Sequence, residues 1–183
     1  IRESYVDTLG KLYEYATAAF SKNRLSTTVD SEGGYTYEEL KKKCESISKR
    51  LTQFGIGAGD KVAILSQNMP NWTVAFFSTV PFGRISIPIL PDCSQNEVTN
   101  ILNHSESKVL FVSRRLLSNV SKECMDKLTL VIDIETFEEI KKDDSKFTCD
   151  GKVSQPMPDD IATINYTSGT TGNAKGVVST HRN

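Results

Sequence analysis

The sequence is poor in histidine and has no cysteines paired at short spacing. Two histidines and four cysteines are spread over 183 residues. Cys44, Cys93, Cys124 and Cys149 form no CxxC, and no histidine stands at ligand spacing from them. A zinc site and a disulfide scaffold are therefore poor fits, and a reducing compartment is the default expectation. Charge of one sign is lacking as well. A formal net charge of −1 leaves no broad basic field for nucleic acid. The short basic runs Lys41-Lys42-Lys43 and Arg114-Arg115 read as solvated surface. A membrane-spanning run is also missing, because the most apolar stretch, residues 74–91, is broken by Pro81, Gly83 and Arg84. Ile1 opens no signal-peptide pattern, but the chain does not begin with Met, so targeting stays open.

What is present suits one globular domain or a large piece of one: 38% hydrophobic and 25% charged residues. Val6, Leu9, Tyr13, Ala16 and Phe20 recur at spacings of three and four, which predicts a helix with those residues inward. Residues 31–34 predict a turn or hairpin. Thr36 and Glu39 form a capping box, and the helix behind it places Leu40, Cys44, Ile47, Leu51 and Phe54 on one face before Gly55 stops it. Strands are predicted at 61–65, 85–90, 108–113 and 128–132. Helices are predicted between them at 71–80, from a second capping box at Ser94 and Glu97 to about His104, and briefly around 116–120. This alternation implies an α/β fold, a mostly parallel sheet flanked by helices. By position, residues 1–24 form an N-terminal helix, 25–142 the α/β core, 143–160 a loose surface connection, and 161–183 a strand and a loop.

That loop is the most informative segment. Residues 166–176 read YTSGTTGNAKG. Thr167, Ser168, Gly169, Thr170, Thr171 and Gly172 put four hydroxyls beside two glycines, and Lys175 follows. Glycines allow close backbone approach, N–H groups and hydroxyls donate to phosphate oxygens, and the lysine adds a point charge. A Walker loop is excluded. The spacing from Gly172 to Lys175 is wrong, Gly176 stands where a magnesium-binding Ser or Thr is needed, and the exit at 177–179 is β-branched instead of helical. A ligand-free Ser/Thr/Gly hairpin is the bland alternative.

The pattern resembles the phosphate-binding signature of the AMP-forming adenylating enzymes: acyl-CoA synthetases, luciferases and the adenylation domains of peptide synthetases. Ala174 departs from it where proline is usual. Upstream, residues 34–40 resemble the family's "TYxEL" entry, 59–64 its "GDxVAI" strand, 68–72 its "ENRPEW" segment and 101–109 its "ILNHSEAKV" segment. The last two are most similar to long-chain fatty acyl-CoA synthetases. The resemblance implies part of the large N-terminal domain of such a fold. It also implies ATP, Mg²⁺ and CoA as cofactors, with a fatty acid as the small-molecule substrate.

The chemistry it implies is attack of a carboxylate on the α-phosphorus of ATP, departure of pyrophosphate, and transfer of the acyl group to CoA. Thr167, Ser168, Gly169, Thr170, Thr171, Gly172 and Lys175 would then hold the β- and γ-phosphates, with Lys175 as the catalytic charge. Thr167 or Thr170 would add an oxygen to magnesium. Asn183 reads as a helix cap with His181 packed nearby, His104 as a helix-end residue, and Trp72, Phe76 and Phe77 as core. No carboxylate here matches the family's later magnesium glutamate or ribose aspartate, nor is its C-terminal-domain lysine present. The expectation is an N-terminal fragment, inactive alone, of a cytoplasmic ligase, with peripheral membrane contact and oligomerisation left open. Two alternatives stand beside it: a ligase for an aryl, short-chain or amino acid, and a non-catalytic phosphate-binding module.

Overall fold

The structure, a computed structural model, describes residues 6–26, 34–148, 153–167 and 175–183. Most of the turn expected at 31–34 lies outside these residues.

The first helix, α1 (Leu9–Ala19), is capped by Thr8, whose hydroxyl accepts from Lys11 N. Its buried positions are Gly10, Tyr13 and Thr17. The predicted stripe is therefore rotated: Phe20 is 42% exposed. The cause is tertiary. Pro156 from the later connection packs on α1 so closely that a Cβ on Gly10 would lie 3.3 Å from its Cγ. Helix α2 (Tyr37–Gln53) carries the predicted capping box, with Thr36 and Glu39 bonded reciprocally. Leu40, Cys44, Ser48 and Leu51 face inward, and Gly55 turns the chain at φ 72°.

Strand β1 (Lys61–Leu65) holds four consecutive buried residues, as expected for a strand covered on both faces. Helix α3 (Pro70–Phe77) is shorter than predicted. A separate 3₁₀ turn at Val80–Phe82 follows, ended by Gly83 at φ 78°. Strand β2 (Ile85–Ile89), α4 (Gln95–Ser105) with the Ser94–Glu97 capping box, and β3 (Val109–Val112) come next. A 3₁₀ segment at Arg114–Asn119 leads into α5 (Lys122–Lys127) and β4 (Leu130–Asp133). Helix α5 and strand β5 (Glu139–Lys142) were not foreseen from the pattern. Lys141 on β5 donates from Nζ to the carbonyls of Met125 (2.7 Å), Asp126 (3.1 Å) and Leu128, satisfying the end of α5. The last strands are β6 (Ile161–Thr167) and β7 (Lys175–Thr180).

Among the described residues these strands form one seven-stranded sheet, ordered β5-β4-β3-β1-β2-β6-β7. Its five inner strands are parallel, and β5 and β7 pair antiparallel at the two edges. Ala63, Leu65, Ile87 and Leu110 pack on one face with Val98, Ile101 and Leu102 of α4. Val62, Ile64 and Phe111 pack on the other with Leu51 of α2 and Ala75 of α3. Tyr13, Leu40, Cys44 and Val74 join α1 to α2 and α3. Crossover helices thus leave β1 and its neighbours on opposite faces. This makes β1 the switch point of the sheet, where open α/β sheets receive ligands at the carboxyl ends of their strands.

Candidate functional site

The parallel strands end in polar segments on one side of the sheet. After β1 and β3, Ser66 Oγ and Ser113 Oγ lie 2.8 Å apart, and Ser113 Oγ donates to Gln67 Oε1 at 3.0 Å. Arg115 Nε donates to the same oxygen at 2.9 Å. At the end of β4, the fully buried carboxylate of Asp133 accepts from Arg114 Nε at 2.5 Å and from Glu135 N at 2.8 Å. Sequence reasoning missed this cluster because it joins residues from three separate strand ends and follows no motif.

The loop signature emerges on the same side. Strands β6 and β7 form an antiparallel ladder whose last pair is Thr167 with Lys175, preceded by Tyr166 with Gly176. Thr167 and Lys175 are both exposed at this neck. Strand β7 begins at Lys175, two residues earlier than predicted, so the lysine belongs to the ladder. Ser168, Gly169, Thr170, Thr171 and Gly172 lie outside the described residues. The two ends of the predicted cradle, eight positions apart in the sequence, are thereby brought side by side.

Beside the neck is a pocket of about 130 Å³ lined by Leu90, Asp92, Cys93, Glu97, Ile101, Tyr166 and Thr167. Glu97 is committed to its capping box, and the Ser94 N–H and hydroxyl hold its carboxyl below the usual carboxylate range. Burial, with Glu97 and Asp92 adding to it, pushes the Cys93 thiol up. Tyr166 Oη lies 2.7 Å from His104 Nδ1 in the last turn of α4. Burial raises the Tyr166 phenol above its ordinary range, so the neutral hydroxyl is the form present.

His181 sits at the far end of the same hairpin, about 20 Å from the neck along a seven-residue strand. It is 4% exposed, and neither ring nitrogen has a hydrogen-bond partner. Burial lowers its pKa, and Asp160 opposes that only in part. Asn183 Oδ1 accepts from Thr180 N (2.9 Å) and Thr180 Oγ1 (2.8 Å), and Asn183 N donates to Thr180 O at 3.3 Å, closing a turn after β7. His104 is a helix-end residue as read. Trp72 stacks on Phe76 with centroids 5.5 Å apart, packed against the core.

Among the described residues no helix is long and apolar enough to cross a membrane. A curated relative, the peroxisomal long chain acyl-CoA synthetase 7 of Arabidopsis thaliana, is 29% identical over 97% of this chain, which spans 29% of that protein's length. A fatty acyl-adenylate ligase from L. pneumophila, solved with acyl adenylate and pyrophosphate, superposes with TM-score 0.77 at 21% identity, covering 99% of this chain and 32% of its own. An anthranilate CoA ligase solved with anthranoyl-AMP superposes at 0.80 and 20% identity, covering 96% of this chain and 34% of its own. The family model for AMP-binding enzymes matches residues 15–183. The chain belongs to the AMP-binding enzyme family.

Proposed function

We propose that the chain supplies the polyphosphate-gripping part of an ATP-dependent, AMP-forming acid–CoA ligase whose acid is a long-chain fatty acid. One observation carries the reading: Thr167 and Lys175 close a hairpin at the carboxyl ends of a parallel sheet, with the glycine-hydroxyl sequence between them. The ligand side of an open α/β sheet is where such a sequence can meet a nucleotide. The similarity to long-chain acyl-CoA synthetases supports the choice of acid.

In this reading the acid's carboxylate attacks the α-phosphorus of ATP, the bond to the pyrophosphate oxygen breaks, and the CoA thiolate then displaces AMP. Charge on the departing pyrophosphate grows in the first step. Thr167, Ser168, Gly169, Thr170, Thr171 and Gly172 donate to it through hydroxyls and backbone N–H groups, and Lys175 adds a fixed positive charge. Magnesium shares that charge when bound. It commonly takes one or two protein oxygens and the rest from phosphates and water. The Thr167 hydroxyl, exposed at the neck, fits that need, and Thr170 is the other candidate. The chain spans about three-tenths of its relative's length, so adenine, ribose and acid contacts are assigned to a longer parent protein, cytoplasmic or resting on a membrane surface.

The test is Lys175→Ala in the full-length protein. Adenylation should slow about 10²-fold, the scale of losing one charge-stabilising donor. An unchanged rate would remove the role given to Lys175. A second reading, an aromatic acid as substrate, draws on the likeness to the anthranilate CoA ligase. A panel of fatty, aryl, short-chain and amino acids separates the two by kcat/KM.

A further inference from the structure

The neck of the loop has a built-in weakness. Gly176 stands on the edge strand β7 in register with Tyr166, one pair below Thr167 and Lys175. Glycine offers no side chain to pack across the ladder and weakens a strand. Yet a larger residue is barred there: a Cβ on Gly176 would fall 2.8 Å from Ile164 Cγ2, and 3.5 and 3.6 Å from Cζ and Cε1 of Tyr166. The side chain that bars a residue at 176 is that of Ile164, and the Tyr166 ring lies in ordinary van der Waals contact beside the same space. An aromatic ring laid over a cross-strand glycine at a sheet edge restores the packing the glycine lacks. The outer end of that ring is held too. Its hydroxyl meets His104 Nδ1 at 2.7 Å, and the two rings meet edge to face, with centroids 5.7 Å apart at 86°. His104 belongs to α4, which packs on the core through Val98, Ile101 and Leu102.

We propose that Gly176, Tyr166 and His104 form a clasp that ties the neck of the phosphate loop to α4, making Tyr166 and His104 positioning residues for the nucleotide phosphates. Glycine makes room for Ile164 beside the ring, the ring covers the edge ladder, and the histidine anchors the ring to a helix seated in the core. Thr167 and Lys175, the next pair along, are then presented from a fixed base. Pre-ordering of binding groups such as Thr167 and Lys175 lowers the ordering entropy lost on binding, so loss of the clasp weakens ATP binding more than the chemistry that follows it.

The proposal rests on the adenylation reading for its kinetic test alone. In the full-length protein, His104→Leu and Tyr166→Phe should each raise the KM for ATP about three- to tenfold, the range of one hydrogen bond. The KM for the acid should not move. The double variant should match the worse single variant instead of multiplying the two effects, since both break one contact. His104→Asn, whose amide can occupy the place of Nδ1, should recover most of the loss. Single effects that multiply, an ATP KM that stays put, or no rescue by Asn would overturn the clasp. If the wild-type protein adenylates no acid, the functional reading has failed and the clasp is judged by amide hydrogen exchange. The β6–β7 ladder should then exchange faster, and to the same extent, in His104→Leu and Tyr166→Phe. Unchanged protection in both would overturn the clasp independently of any activity.

Discussion

His181 illustrates how a residue in a signature can serve the fold. Its ring is buried without a partner at the end of the hairpin remote from the neck, so it is held neutral. The unfolded chain takes up a proton as the pH falls through about 6.5, while the folded protein resists doing so. Stability should therefore be unaffected by this group above that pH and decline as acid is added below it, by at most about 1.4 kcal/mol per pH unit. Urea denaturation of wild type and His181→Phe between pH 7.5 and 5 should show the difference between them changing with pH. A constant difference would contradict the assignment. The carboxylates held low by hydrogen bonds, Glu38, Glu39 and Glu97, act in a separate window: the stability they add is present above their ordinary 4.5 and is lost on further acidification.

At the scale of elements, α2 depends on a group that the pattern of apolar residues does not reveal. Arg84 is fully buried. Its Nη2 donates to Ser48 O (3.2 Å), Thr52 Oγ1 (2.8 Å) and Ile56 O (2.9 Å), its Nη1 to Ser48 Oγ (2.8 Å), and its Nε to Ile56 O (3.0 Å). Burial draws its pKa down to about 10, with Asp60 pulling the other way, so it stays charged at neutral pH. The guanidinium ties the last turns of α2, at Ser48 and Thr52, to the Ile56 carbonyl of the chain that follows, and its charge complements the helix dipole. Lysine cannot reproduce that fork. Arg84→Lys should cost about 2–4 kcal/mol, read as a lower denaturation midpoint at unchanged slope. A loss under 0.5 kcal/mol would show that the fork is dispensable.

The same scale explains what could be read from the sequence. Both capping boxes and the solidly apolar strand β1 were legible because each is set by residues within a few positions of one another. The inward face of α1 was legible only in part: Tyr13 is buried as predicted and Phe20 is not, and Pro156, far along the chain, packs beside Gly10. Strand β5, with the sequence Glu-Ile-Lys-Lys, has no apolar alternation, and Lys141 faces the end of α5 for a reason visible only in space. Lys175 and the loop residues were legible as a motif, whereas the Tyr166–His104 contact, spanning 62 positions, was not.

Taken whole, the sheet has two unlike edges. Strand β5 carries Lys141 and Lys142, charges that discourage pairing with another chain. Strand β7 exposes Val177 and Val178, 53% and 51% accessible, on its two faces and carries no charge from Gly176 to Thr180. The ligand side of the sheet and this uncovered hairpin meet at the neck formed by Thr167 and Lys175. That convergence, together with membership of the AMP-binding family, gives the molecule its proposed place at the pyrophosphate end of the reaction. The most direct test is exchange of labelled pyrophosphate into ATP by the full-length protein. The account predicts exchange that requires a carboxylic acid and Mg²⁺, proceeds without CoA, is fastest with long-chain fatty acids and collapses in Lys175→Ala. A folded protein that binds ATP but exchanges pyrophosphate with none of the acids would contradict it.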